Sequence, residues 1–463
     1  MIRLPRKFPD TIAIILGISV IFIILTWIIP AGQFEREAAA GTEMIVAGSY
    51  ERVASNPQGL GAFLTAPIKG FISAAFVIGF VFLVGGAFSV LNATGAINAG
   101  LFSIIKFAER NPKYKLLIVP FLTALFSLAG ATFGMSEEIL VFVLITIPLA
   151  TALGYDAIIG AAIPVIGTGV GFAGAITNPF TIGIAQSIAQ VPVFGGIGYR
   201  LVVWFVLTLI AGFALYRYAR KIEKDPSKSV LAGMDIKVAD SFKEGEISHL
   251  TSRRKIILLT LLTALILLIY GVNEFGWYIN EIAALFIGLA IVSAILYRLS
   301  VTKAIDAFVE GAQGMMKAAL VIGLAKGLLI IAEEGLIIDT ILNSVAELAG
   351  DTPKYISAEL MFLFQCFLNF FIPSGSGQAA LTMPIMAPLS DVLGIGRQIA
   401  VLAFQMGDGL TNMIVPTSGV TMGVLSIADI PYDKWLKWAF PIVFILIISS
   451  MLLLLPPLYL LGW

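Results

Sequence analysis

Residues 134–183 read GMSEEILVFVLITIPLATALGYDAIIGAAIPVIGTGVGFAGAITNPFTIG, and residues 374–423 read SGSGQAALTMPIMAPLSDVLGIGRQIAVLAFQMGDGLTNMIVPTSGVTMG. Laid on one another without a gap, they match Ser136 with Ser376, Pro148 with Pro388, Leu153 and Gly154 with Leu393 and Gly394, and Ile159 with Ile399. The register continues through Gly167 with Gly407, Gly169 with Gly409, Thr177 with Thr417, Thr181 with Thr421 and Gly183 with Gly423. Each copy is an apolar stretch interrupted by Gly, Pro, Ser and Thr. Paired interrupted segments in corresponding halves of a hydrophobic chain point to a transporter's binding site. The reading is a carrier of a small solute.

Composition agrees. The chain is 59% hydrophobic and 13% charged, with a mean hydropathy of +0.97, where an average soluble domain is about 25% charged. Single spans are readable at 11–29, 201–216, 256–270, 282–296 and 440–460. A bilayer core offers no water to backbone groups, so such runs are helices. The expected fold is an all-α polytopic membrane protein. One cysteine, Cys366, and one histidine, His249, exclude disulfides within the chain and Cys/His metal clusters. Lys and Arg equal Asp and Glu in number, 29 each, which argues against a nucleic-acid partner. The basic N-terminus before an apolar run resembles a signal peptide. The length of the run and the lack of a clean small-residue cleavage site make it a first span instead.

Positive charge beside the spans sets their sides. Arg3, Arg6 and Lys7 place the N-terminus in the cytoplasm, so the loop carrying Glu35, Arg36, Glu37, Glu43, Glu51 and Arg52 is external. The next apolar stretch contains Ala74-Ala75-Phe76-Val77-Ile78-Gly79, echoed as Ala318-Ala319-Leu320-Val321-Ile322-Gly323. Between them a polar segment, 217–255, reads as a cytoplasmic linker followed by two spans, so the echo enters from the opposite side. The loops at Asn111-Pro112-Lys113-Tyr114 and Thr352-Pro353-Lys354-Tyr355 agree. The first is basic (Lys106, Arg110, Lys113, Lys115), and the second lies among Asp339, Glu347 and Asp351. The sequence thus predicts two inverted-topology repeats, 1–216 and 256–463, with the site between them.

Within each repeat two irregular elements are expected. Re-entrant hairpins fall near 131–155, opening at Ser136-Glu137-Glu138, and near 373–394, opening at Ser374-Gly375-Ser376-Gly377-Gln378, the latter interrupted by Pro384 and Pro388. Helix starts carry unpaired N–H groups and partial positive charge, and attract carboxylates. Broken helices fall near 176–179 (Ile176-Thr177-Asn178-Pro179) and 416–419 (Pro416-Thr417-Ser418-Gly419), where Pro and Gly unwind the backbone and free carbonyl oxygens. These carbonyls, with Thr177, Asn178, Asp408, Asn412 and Thr417, can hold Na⁺; Asn178, Thr417 and Ser418 can also bond a substrate. A simple kink with self-bonded hydroxyls is the plainer alternative.

Buried charge needs a reason, at about 2.5–3.5 kcal/mol each. Glu137, Glu138 and Asp408 can bind a coupling Na⁺, carry a proton or receive a substrate ammonium. One of the two glutamates is expected to serve only as helix-start compensation. Lys326 is expected to pair with Glu333 or Glu334 or to reach an interface, His249 to be solvated, and Arg397 to be interfacial.

The strings Gly134-Met135-Ser136-Glu137-Glu138, 374–384 and Phe404-Gln405-Met406-Gly407-Asp408-Gly409 resemble the YfcC group of the anaerobic C4-dicarboxylate carrier (DcuC) family, over nearly the whole chain. The resemblance implies a place in the ion-transporter superfamily, a prokaryotic inner-membrane location, a dimerising scaffold and a transport domain with two hairpins that moves as an elevator. It implies dicarboxylate transport or exchange of basic amino acids such as arginine and ornithine. Pro416-Thr417-Ser418 departs from the Ser-Asn-Thr pattern of other dicarboxylate-carrying branches. The combined expectation is a secondary transporter of a small carboxylate-bearing metabolite, coupled to Na⁺ or H⁺ or working by exchange. It is expected to lie in the lipid bilayer as a homodimer, with no other cofactor. A channel would share the broken helices; an enzyme would have only carboxylates and serines to work with.

Overall fold

The computed structural model describes residues 11–460 apart from 40–41, 47, 98, 101–102, 104–105, 107–109, 235–249, 278 and 350–352. Arg3, Arg6, Lys7, His249, Asp351 and Thr352 lie outside the described residues. In chain order the helices are α1 (Thr11–Ile28), α2 (Leu60–Ser73), α3 (Ala75–Ala93), α4 (Pro112–Phe133), α5 (Ile139–Ala152) and α6 (Ala157–Gly174). A π-helical turn, Pro179–Gly183, leads into α7 (Ile184–Ile188) and α8 (Ile197–Lys224). Then come α9 (Ser252–Phe275), α10 (Ile279–Tyr297), α11 (Val301–Gly314), α12 (Met316–Glu334), α13 (Ile338–Ala349) and α14 (Lys354–Leu368). The chain closes with α15 (Gly375–Val392), α16 (Arg397–Thr411), α17 (Gly419–Ile427) and α18 (Tyr432–Leu460).

Six described helices are long and apolar enough to cross a membrane, and α11 with α12, bent by 41°, would make a seventh. The chain is a multi-pass membrane protein. Three expectations need correcting. The segment after α1 is not purely irregular: it holds two small antiparallel ribbons, Gly32–Gln33 with Glu51–Arg52 and Arg36–Ala39 with Thr42–Ile45. The linker does not begin at 217, because α8 continues to Lys224 and ends where Asp225 caps the next turn. Pro384 and Pro388 do not interrupt their helix, since α15 runs through both; a proline inside a membrane helix is tolerated where surrounding protein meets the freed carbonyls.

Packing follows backbone approach. α2 lies along α12, and α3 along α11. Gly70 sits on the backbone of Gly323 and Gly327, while Gly85 sits on Gly311 and Met315. As one index rises the other falls, so α2–α3 and the bent α11–α12 cross antiparallel. The joints fall at Ala74 and Met315. The echoed hexapeptides therefore start at one joint and three residues past the other. α6 and α16 cross antiparallel as well, with Gly169 against Met413 and Gly409 against the Ala173 amide; α16 is buried from Ile399 to its end and α6 throughout except at Phe172. Without a hydrophobic drive between helices in lipid, small residues that admit close contact supply the cohesion. The outer helices α8 and α18 cover α6 and α16 respectively.

A Cβ on Gly311 would stand 2.4 Å from the Gly85 carbonyl oxygen, whereas one on Gly79 would meet nothing within 4 Å. Gly311→Ala is expected to cost about 1–3 kcal/mol by overpacking, and Gly79→Ala less than about 0.5 kcal/mol. Thermal unfolding of the detergent-solubilised chain checks the pair; equal midpoints would contradict the crossing.

Candidate functional site

The four irregular elements expected from the sequence meet. Between α4 and α5 the chain turns at Gly134, whose backbone is left-handed (φ +73), and α5 starts only after Glu138. α15 starts after Ser374, whose hydroxyl accepts from the Gly377 amide at 3.4 Å. α6 ends at Gly174 and α16 at Thr411, each followed by non-helical backbone to 178 and 418. The two tips, the second break and the π-helical turn after the first line a cavity of about 290 Å³, the volume of a small metabolite site.

Of the expected residues, Ser136 and Glu137 line the cavity from the first tip, and Ser374, Gly375 and Ser376 from the second. Asn412, Thr417 and Ser418 line it from the second break. The lining is completed by Ser73, Ala74 and Val77 at the joint of α2 and α3, and by Ile322, Ala325, Lys326 and Leu329 of α12. Phe172, Phe180 and Met413 add apolar surface.

Other candidates lie outside this lining. Glu138 is buried and accepts from the Ser136 amide at 2.8 Å, fixing the turn. Glu137 lines the cavity and Glu138 does not. Thr177 donates its hydroxyl to the Thr132 carbonyl at 3.1 Å. Asn178 donates to Gly130, and its Oδ1 accepts from the Phe180 amide at 3.0 Å. The amides of both residues also donate to the Ala131 carbonyl. The first break is therefore stitched to the end of α4 instead of presenting loose oxygens. Gln378 turns to α14, donating to Gln365 Oε1 at 2.7 Å, and the Gly377 amide is held by Ser374.

Asp408 is wholly buried behind the start of α15. Its Oδ1 accepts from Asn412 Nδ2 at 2.9 Å. Its Oδ2 has no partner and lies 3.0 Å from where a Cβ on Gly375 would stand. Asn412 Oδ1 and Thr417 Oγ1 are likewise without partners. Three oxygens around the second break thus lack donors, an arrangement suited to a cation or to water.

Two residues outrun the sequence reading. Lys326 is not paired with Glu334, which Lys69 holds at 2.5 Å; it interacts electrostatically with Glu333, makes no hydrogen bond among the described residues, and lines the cavity. Its place in an apolar run was the available signal, but which helix face meets the cavity is decided by packing against α2 and α17. Arg200, at the start of α8, is buried. It donates to the carbonyls of Ala175 at 2.8 Å, Ile176 at 3.2 Å, and Gly195. At the second break Trp435 donates to the Met413 carbonyl at 2.9 Å and Tyr432 to that of Ile414 at 2.7 Å. Arg397 stays outside the lining, bonded to Asp391 and to the Ala189 carbonyl.

The sequence profile described as "C4-dicarboxylate anaerobic carrier", DcuC, matches residues 8–457. A relative from Escherichia coli K12, provisionally named a basic amino acid antiporter, YfcC, is 35% identical over 96% of this chain and 94% of its own. An uncharacterised protein of Haemophilus influenzae is 30% identical over 96% of each chain. Among solved structures, the YdaH transporter of Alcanivorax borkumensis aligns over 96% of this chain and 98% of its own, with 17% identity and a TM-score of 0.42. MtrF of Neisseria gonorrhoeae aligns over 99% and 96%, with 16% identity and a TM-score of 0.41. With a family match running almost end to end and two relatives sharing about a third of its residues, this membrane chain is a transporter belonging to the DcuC family.

Proposed function

We propose that this protein is a secondary active transporter of a small carboxylate-bearing metabolite, a C4-type dicarboxylate or an amino acid. The observation that carries this is a cavity lined by two tips, the second helix break and the π-helical turn after the first, all from distant parts of the chain. A continuous helix bundle has no need of such interruptions, and irregular backbone at membrane depth persists where it lines a binding site. The starts of α15 and α17 bring unpaired amide donors to the cavity, which suits a carboxylate.

The antiparallel crossings of α2–α3 with α11–α12 and of α6 with α16 support an inverted-topology repeat. In that reading α4–α5 and α14–α15 are re-entrant hairpins, α2–α3 and α11–α12 are the scaffold, and the hairpins move with α6 and α16 as an elevator. The basic residues Lys113, Lys115 and Arg217 to Lys224 belong on the cytoplasmic side with the N-terminus, in a prokaryotic inner membrane. A homodimer through the scaffold follows from the family resemblance. The partnerless oxygens of Asp408, Asn412 and Thr417 make this the place for a coupling Na⁺, or for a proton carried by Asp408. Exchange of basic amino acids is the second reading, favoured by the name of the E. coli relative.

Proteoliposomes preloaded with succinate, fumarate, L-arginine or L-ornithine are expected to take up the labelled counterpart saturably, with stimulation from the opposite side or by a Na⁺ or pH gradient. Non-saturating flux without exchange would make the protein a channel. Asp408→Asn is expected to lower ion-coupled uptake about tenfold or more while membrane expression persists; unchanged uptake and ion dependence would remove Asp408 from the coupling site.

A further inference from the structure

We propose that Lys326 is the carboxylate receptor of the cavity and Glu137 its ammonium receptor, so that the site is built for an α-amino acid zwitterion. The inference rests on the transport reading above and names its substrate class. Lys326 and Glu137 are the ionisable residues lining the cavity, one of each sign. They come from different elements: Glu137 from the turn before α5, Lys326 from the cavity face of α12.

Burying a lysine ammonium in an apolar helix is costly unless something anionic meets it. Of the acids on its own helix, Glu334 is bonded to Lys69, and Glu333, two turns on, attracts Lys326 electrostatically without an ion-pair contact among the described residues. The ammonium lines the cavity and makes no hydrogen bond among the described residues. Beside it lies the start of α17: a Cβ on Gly419 would stand 3.6 Å from Ile322 Cα, one helical turn before Lys326. Ser418 and Gly419 share the cavity lining with Lys326. A carboxylate placed there would meet the ammonium and the amide donors of a helix start together. Thr417, nine-tenths buried and without a partner for its hydroxyl, borders the same position.

Glu137, on another element lining the same cavity, has the opposite preference. A dianionic C4 substrate would satisfy Lys326 with one carboxylate and have no second lining cation for the other, with Glu137 repelling it. An α-amino acid leaves no charge unmatched, and its side chain would lie among Val77, Phe172 and Leu329.

The test is thermal-shift titration of the full-length detergent-solubilised protein with L-leucine, L-arginine, their decarboxylated analogues isoamylamine and agmatine, and succinate. At least one amino acid is expected to stabilise the wild type, with succinate ineffective and the matching amine at least tenfold weaker. Lys326→Met should raise the apparent Kd of that amino acid at least tenfold and leave that of the amine unchanged, while Lys326→Arg stays within about threefold of wild type. Equal affinity for amino acid and amine in the wild type, or an amino acid Kd unaltered in Lys326→Met, would overturn the assignment. The wild-type comparison decides even if the methionine variant does not fold. Stabilisation and transport of succinate alone would overturn the zwitterion while sparing the transport reading; absence of saturable counterflow with every probe would overturn both.

Discussion

A hydrocarbon interior leaves no backbone amide or carbonyl free of obligation, and each place where this chain interrupts a helix shows how that obligation is met. At the first break, the Ala131 carbonyl accepts from the Thr177 and Asn178 amides, and Arg200 closes over the carbonyls of Ala175, Ile176 and Gly195. At the second, the indole of Trp435 and the phenol of Tyr432 cover Met413 and Ile414. In both cases the covering side chains come from the outer helix that follows the break. The requirement for partners thus explains why α8 and α18 pack where they do.

Matched construction makes the differences informative. The first break is closed by hydrogen bonds to α4, and its threonine and asparagine are used up in doing so. The second keeps Asp408 Oδ2, Asn412 Oδ1 and Thr417 Oγ1 without donors, although Thr177 and Thr417 correspond in sequence. Asn369 contributes to this by holding Thr411 and the Asp408 carbonyl, which keeps the end of α16 in place.

Much of the site was legible because its elements are punctuated by residue types with strong backbone preferences. Leu153-Gly154 and Leu393-Gly394 end their helices with left-handed glycines, and Thr177 and Thr417 fall in breaks as the ungapped repeat requires. The roles of side chains within those elements were harder to read. Glu137 and Glu138 are adjacent and chemically alike, and only the turn geometry sends one to the cavity and the other to the Ser136 amide. Lys326 could not be oriented from its own helix, whose surroundings are built by α2 and α17. Arg200 reads in sequence as the last charged residue before an apolar span, since the carbonyls it serves are about 25 residues upstream. The ribbons between 32 and 52 escaped notice because strands of two to four residues carry too little alternation to register.

The glycine seam joining α2 to α12 also bears on how the protein is made. Gly70 finds its mates, Gly323 and Gly327, only after roughly 250 more residues have been synthesised, a delay of about 10–50 s at ordinary rates of translation. Throughout that interval the bare backbone groove of α2 has lipid or the insertion machinery for company. Assembly of the nascent chain must therefore wait on its distal portion, and a ribosome that stalls after α10 leaves an inserted but unmated set of helices for quality control to recognise.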